Sequence, residues 1–133
     1  LLHHLDELKI PRLCCSRAGE GMGGTLSEGV GHIRGWSGVL VALSDMPWIA
    51  PATYRAVAQR LVTSNIVVPV HDGRRGHPVG FGCEFYPELA ALGGDTGARG
   101  LLGVHAARVA EVPVADAAIH RDIDVPGDLQ QSP

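Results

Sequence analysis

The chain has 133 residues, of which 45% are hydrophobic and 19% charged, enough to bury one ordinary core and too apolar for wholesale disorder. A net charge of -3 with scattered arginines argues against the basic face of a nucleic-acid-binding domain. No apolar stretch approaches the ~20 residues of a membrane span, and the opening Leu1-Leu2-His3-His4 lacks the layout of a signal peptide.

A cytoplasmic protein without a membrane segment is therefore expected. The start without Met, in mid-pattern, is expected of either a fragment or a misplaced start. The 18 Gly and 9 Pro, without a repeat, imply many tight turns between short elements. Cys14, Cys15 and Cys83 are odd in number and two are adjacent. They form no disulfide framework, and Cys14 and Cys15, inside an apolar run, are expected as buried structural thiols.

In chain order, Leu1, Leu5 and Leu8 have helical spacing, and Pro11 ends that helix. Arg12 to Cys15 is a short strand candidate. Gly19 to Gly24 is a glycine-rich loop, followed by a helix over Thr25 to Ile33 with Leu26, Val30 and Ile33 on one face. The unbroken apolar run Gly38 to Leu43 predicts a central strand of a covered sheet, ending at Ser44-Asp45-Met46-Pro47.

Pro51 suits the first turn of a helix running to Val62. Ile66 to Val70 is the next strand, His71 to Pro78 a polar loop, and Phe85 to Leu92 a helix. Gly93 to Gly97 is a loop before a helix over Ala98 to His105. Val109 to Val114 and His120 to Val125 are the last strand candidates, and Pro126 to Gln131 a closing turn. Strands alternating with helices predict one α/β domain with a mainly parallel sheet.

Four constellations carry chemistry. Asp45 stands at the carboxyl end of the most apolar strand, where open α/β sheets bind ligands. A carboxylate there suits Mg²⁺, and equally a turn before Pro47. Asp122 and Asp124 share one side if that stretch is a strand. Either one of them shares a metal with Asp45, or they belong to a solvated C-terminal strand and a capped last helix. Gly73-Arg74-Arg75-Gly76-His77-Pro78 combines a permissive backbone with phosphate-pairing arginines and a titratable imidazole, or is a tight turn with surface arginines. In Gly93 to Arg99, Asp95 is placed to cap the next helix, whose start would attract an anion beside Arg99. The plain reading there is a capped helix. No P-loop, zinc spacing or nucleophile elbow is present.

Taken in order, several stretches resemble the MobA/MocA-like nucleotidyltransferases. They are Gly21-Met-Gly-Gly-Thr-Leu26 with Gly29, Ser44-Asp-Met-Pro47 with Thr53, Gly76-His-Pro78 with Phe81, Gly94-Asp-Thr-Gly-Ala-Arg99, and Asp122-Ile-Asp-Val-Pro126 with Asp128-Leu129. The Gly-His-Pro and Gly-Asp-x-Gly-Ala-Arg pieces resemble the molybdenum cofactor cytidylyltransferase branch. The resemblance implies a Rossmann-like fold over residues 1–133. It also implies transfer of CMP from CTP to molybdopterin bearing molybdenum, with release of pyrophosphate. Asp45 and Asp124 would be catalytic and bind Mg²⁺. Asp45, Gly21 and Thr25 would face the nucleotide, and Gly76, His77, Asp95 and Arg99 the acceptor.

The family pattern opens with a strand and a loop, Leu-Ala-Ala-Gly-x-x-x-Arg-x-Gly followed by Lys, that neutralises the triphosphate. No stretch of this sequence matches it. The expectation is thus a C-terminal portion of the domain, inactive alone, since such transfer rests on positioning and electrostatics. The alternatives are a nucleotidyltransferase of another base or acceptor, and a non-catalytic carrier presenting molybdenum cofactor to a molybdoenzyme.

Overall fold

Five strands form one open sheet with helices on both faces, the α/β architecture expected. The computed structural model describes residues 7–95, 97–125 and 127. The strands are β1 (Gly38–Val41), β2 (Ile66–His71), β3 (Arg74–Arg75), β4 (Val79–Gly82) and β5 (Val109–Pro113). The helices are α1 (Met22–Gly31), α2 (Pro51–Arg60), α3 (Tyr86–Ala90) and α4 (Arg99–Val104). Across the sheet the order is β1-β4-β2-β5, with β3 folding back on the end of β2. Among the described residues no helix is long and apolar enough to cross a membrane.

The sheet is mixed rather than mainly parallel. β2 pairs with β5 in parallel, but β4 runs antiparallel to both β1 and β2. The cause is the connection. β4 returns from the β2–β3 hairpin without a crossover helix, and a hairpin return must be antiparallel. The sequence pattern places Val79 to Gly82 in no element, and Gly80 and Gly82 interrupt its apolar residues. In the sheet those glycines lie on the face beneath Leu61, Val57 and the 62–63 turn. The alternate residues Val79 and Phe81 enter the main core with Val39, Ile66, Val68, Val30, Leu89 and Leu101. Gly38 to Leu43, expected as a central strand, is shorter and lies at the edge. β1 pairs with β4 on one side and, among the described residues, with no strand on the other.

Several local expectations change with tertiary context. Arg12 to Cys15 is irregular and mostly exposed, with Cys14 on the surface and Cys15 half-buried, so the pair is no buried core element. The helix expected from Thr25 starts earlier, at Met22, because Gly23 and Gly24 pack tightly against Gly93–Gly94 and Arg17. That contact outweighs the low helix propensity of glycine. α2 starts at Pro51 as expected and stops at Arg60, where Asn65 accepts from the Val62 N–H at 2.9 Å and donates to the Arg60 carbonyl at 3.1 Å.

His120 to Val125 is not a strand. A 3-10 turn over Ala117–His120 buries Ala118 and Ile119 in a second cluster with Met46 and Ile49, and residues 121–124 follow without regular structure. The expected helix over Leu1 to Leu8 and the turn over Pro126 to Gln131 fall mainly outside the described residues.

Candidate functional site

Asp45 is exposed in the turn that leaves β1. Its backbone carbonyl accepts a hydrogen bond from the Ile123 N–H at 2.8 Å. That bond holds the irregular 121–124 segment against the end of β1, so Asp124, also exposed, follows directly on the residue bonded to Asp45. The juxtaposition comes from a tertiary backbone bond. The strand alternation expected to align Asp122 with Asp124 is absent. Hard oxygen donors of this kind suit Mg²⁺, which takes one or two carboxylates and completes its shell with water and phosphate. Among the described residues no group of three or more His, Cys, Asp or Glu could hold a metal ion, so any ion here would depend on substrate oxygens.

Val41 pairs with Val79, so His77 and Asp45 lie beyond the same end of these strands, where the Asp45 charge acts on the imidazole. The Gly76 N–H donates to the Pro69 carbonyl at 3.0 Å, and the His77 N–H to the Ile119 carbonyl at 3.1 Å. A side chain on Gly76 would run into Ile119, so glycine is required for this seating. The peptide between His77 and Pro78 is cis. Burial holds the His77 imidazole below its ordinary pKa, while the Val41 carbonyl and the Asp45 charge act the other way. Its Nδ1 is buried without a hydrogen-bond partner. A neutral ring with an unused nitrogen beside a carboxylate is equipped to bind or orient a polar ligand.

A groove of about 1600 Å³ runs from this corner along the free edge of β1, between α1, α4 and the 11–15 segment. Gly76, His77, Thr25, Asp95 and Arg99 all line it, so the predicted acceptor residues and one predicted nucleotide residue share a single cavity. Asp45 and Asp124 are not in its lining. The link between the two groups is His77.

Gly21, at φ +97, precedes α1 with the Asp95 carboxylate directly against it. Asp95 therefore does not cap the following helix as expected. α4 begins four residues later, with Ala98 before its first turn and no side-chain cap. Thr25 is exposed, its hydroxyl donating to the Gly21 carbonyl at 3.4 Å. Arg75 also lines the groove, with its Nε committed to Glu111 at 2.7 Å.

Sequence reasoning missed two features. Arg12 and Arg34 join the groove lining from distant segments, which no local pattern announces. Asp116 caps α2 from sixty residues away: its Oδ2 accepts from the Ala50 N–H at 2.9 Å and the Thr53 hydroxyl at 2.5 Å. Its Oδ1 accepts from the Ala118 N–H at 3.1 Å. Burial acts to raise the Asp116 pKa, but the Thr53 hydroxyl and the two backbone N–H groups hold it below the usual carboxylate range.

The fold has solved counterparts. The chain is similar to the crystal structure of Rv0371c from Mycobacterium tuberculosis H37Rv, at 31% identity and a TM-score of 0.68, over 81% of this chain and 57% of that one. Rv0371c in complex with manganese matches at 29% identity and a TM-score of 0.68, over 79% and 56%. A homolog from Mycobacterium sp. strain JC1 shares the fold at 23% identity and a TM-score of 0.66, over 90% and 57%. The chain thus spans a little over half the length of these structures. No curated protein matches it. The family model of the MobA-like NTP transferase domain matches residues 1–111, which include Asp45, the Gly76–His77 corner and the Gly21–Asp95 contact. With the mixed open sheet and the shared groove, that match makes the chain a member of the MobA-like NTP transferase domain family.

Proposed function

We propose that this chain carries the acceptor side and the metal side of a nucleotidyl-transfer site, acting with CTP and molybdenum cofactor. The observation that carries the reading is the convergence of His77, Asp95 and Arg99 on one groove whose corner adjoins Asp45. In the reaction an oxygen of the acceptor's terminal phosphate attacks the α-phosphorus of CTP. The bond from that phosphorus to its bridging oxygen breaks, and pyrophosphate leaves with the electron pair. Asp45 and Asp124 would hold Mg²⁺, which when bound neutralises charge on the triphosphate and on departing pyrophosphate. The Arg99 guanidinium would pair with the acceptor phosphate in forked geometry. His77, neutral near pH 7, would orient the acceptor through its unused nitrogen. Gly21 and Thr25 would face the base and ribose.

The manganese in one Rv0371c structure supports a divalent ion in this family. The test is pyrophosphate release from CTP with Mg²⁺ and molybdenum cofactor. It is run for this chain and for a version extended upstream with a strand and a glycine-rich loop bearing Arg and Lys. The extended version should turn over, and Asp45→Asn should lower its rate about 100-fold or more, the scale of removing a preorganised electrostatic group. An extended version that stays inert, or is indifferent to Asp45→Asn, overturns the reading. Replacing CTP by GTP settles the base.

A second reading is a carrier that binds molybdenum cofactor and hands it to a molybdoenzyme. It needs only the acceptor residues, and Gly76, His77, Asp95 and Arg99 line one groove. Tight cofactor binding with no CTP dependence, in both the chain and its extended version, would select it.

A further inference from the structure

We propose that Asp95 determines acceptor specificity by reading the paired N–H donors of a 2-amino-4-oxopyrimidine ring, the edge that a pterin presents. The inference rests on the acceptor-site reading above and divides the work within it, with Asp95 on the ring and Arg99 on the phosphate.

The first ground is electrostatic. Arg12, Arg34, Arg75 and Arg99 line the groove, and Asp95 is its one acidic lining residue among the described residues. A lone carboxylate in a cationic groove repels the phosphate that the arginines attract. It gains only from a ligand that also presents donors.

The second ground is availability. Among the described residues Asp95 makes no hydrogen bond or ion pair. Its capping role is excluded because α4 starts at Arg99 with Ala98 as its cap residue.

The third ground is placement. The Gly94 carbonyl accepts from the Gly23 N–H at 2.8 Å, and this pins the loop to the start of α1. The Asp95 carboxylate then fills the space that a side chain on Gly21 would need. The backbone thus positions a carboxylate at the groove, and a site that hydrogen-bonds a ligand's donors discriminates against analogues lacking them.

The ring chemistry follows from donor and acceptor counting. An ionised carboxylate offers acceptors only, two oxygens side by side. A 2-amino-4-oxopyrimidine edge answers with a ring N–H next to an exocyclic amine, giving two parallel charge-assisted bonds. Cytosine sets its amine beside a bare ring nitrogen and would oppose lone pair to lone pair. Asp95 is therefore unsuited to the CTP base. Guanine shares the pterin edge, so the experiment includes both.

Equilibrium dialysis at pH 7 would compare pterin with lumazine, in which the 2-amino donor is replaced by a carbonyl, and GTP with ITP, which lacks that amine. The expected result is pterin bound about tenfold or more tighter than lumazine, each tenfold being about 1.4 kcal/mol. Asp95→Asn should cost about tenfold for pterin and leave lumazine within about twofold, because the amide turns one acceptor into a donor. Asp95 is exposed, so circular dichroism of the variant should match the parent. Equal binding of both pteridines would overturn the role of Asp95 while leaving the acceptor site standing. Binding of neither would overturn both. Asp95-dependent discrimination of GTP from ITP, without discrimination between the pteridines, would assign the carboxylate to the nucleotide base and overturn the proposal.

Discussion

The carboxylate of Asp95 occupies the space that a side chain on Gly21 would need, and Gly21 holds a φ of +97 that side chains rarely tolerate. Both facts make position 21 intolerant. Gly21→Ala should destabilise the fold by about 1–3 kcal/mol, the scale of a forced backbone conformation. Gly29 is the contrast: it lies inside α1 with nothing near its added carbon. Gly29→Ala should stabilise by about 0.5–1 kcal/mol through helix propensity. Urea unfolding of the two variants should show midpoint shifts of opposite sign. Shifts of the same sign would refute the difference in local geometry.

Asp116 ties three donors together: the Ala50 and Ala118 N–H groups and the Thr53 hydroxyl. Thr53 is buried, so removing the acceptor strands a hydroxyl as well as the first turn of α2. Asp116→Ala should cost about 2–3 kcal/mol, above a simple cap loss of ~1 kcal/mol. The sign of the pH effect follows from the lowered pKa of Asp116 in the fold. The unfolded carboxyl takes up a proton first as pH falls. Its stabilisation is thus present above the ordinary carboxyl pKa and is lost as pH falls through the lower folded value. The stability difference between the parent chain and Asp116→Ala should therefore shrink below about pH 4. A difference constant from pH 7 to pH 3 would show that the carboxylate charge is not what these donors hold.

Arg108 packs its guanidinium 4.3 Å from the centre of the Phe85 ring, donates from Nε to the Ser64 carbonyl at 2.7 Å and pairs with Glu84. A lysine keeps the charge but loses the planar fork and its stacking. Arg108→Lys should cost about 1 kcal/mol. Glu84→Gln, which removes only a largely exposed ion pair, should cost less than about 0.5 kcal/mol. Thermal unfolding of both variants gives the comparison. A larger loss for Glu84→Gln would make the ion pair the dominant contact.

The alternation of elements was legible because strands and helices repeat their apolar residues at different periods. α2 was readable from Pro51 and the helical spacing of Tyr54, Val57, Ala58 and Leu61, and β2 from an apolar run of β-branched residues interrupted only by Pro69. β4 was illegible because its alternate positions are glycines that serve the overlying α2 face, a tertiary requirement with no local signature. The same holds for α1, whose first turn is made helical by contact with Gly93–Gly94. At the site, Thr25, Gly76, His77, Asp95 and Arg99, named from motif pieces, line one cavity, while Gly21, Asp45 and Asp124 lie outside its lining. The motif pieces assigned Asp95 a local capping role, whereas its carboxylate is placed by a partner seventy residues earlier. Asp122 and Asp124 were aligned by a strand period that the chain does not adopt. A single bond between Ile123 and Asp45 performs the juxtaposition instead.

The free edge of β1 yields the last prediction. Among the described residues Gly38 to Val41 pairs with β4 on one side only, and the groove along the other side is lined by apolar residues that include Leu13, Leu26, Ile33, Val39 and Val41. Leu13, Met22 and Trp36, all lining it, are 43%, 53% and 63% exposed. The 11–15 segment forms part of the far wall without pairing to β1. An unpaired edge beside an apolar groove is a template for another strand, and native proteins cover or charge such edges. The chain studied alone should therefore bind an apolar fluorescent dye and associate as its concentration rises. Val41→Lys places a charge on the groove wall, and an inward-pointing charge at an edge blocks strand addition. It should lower both dye binding and association. Sedimentation velocity over a range of concentrations, with dye titration alongside, measures the two effects. A chain that stays monomeric, excludes the dye and is unchanged by Val41→Lys would mean that the edge is already covered.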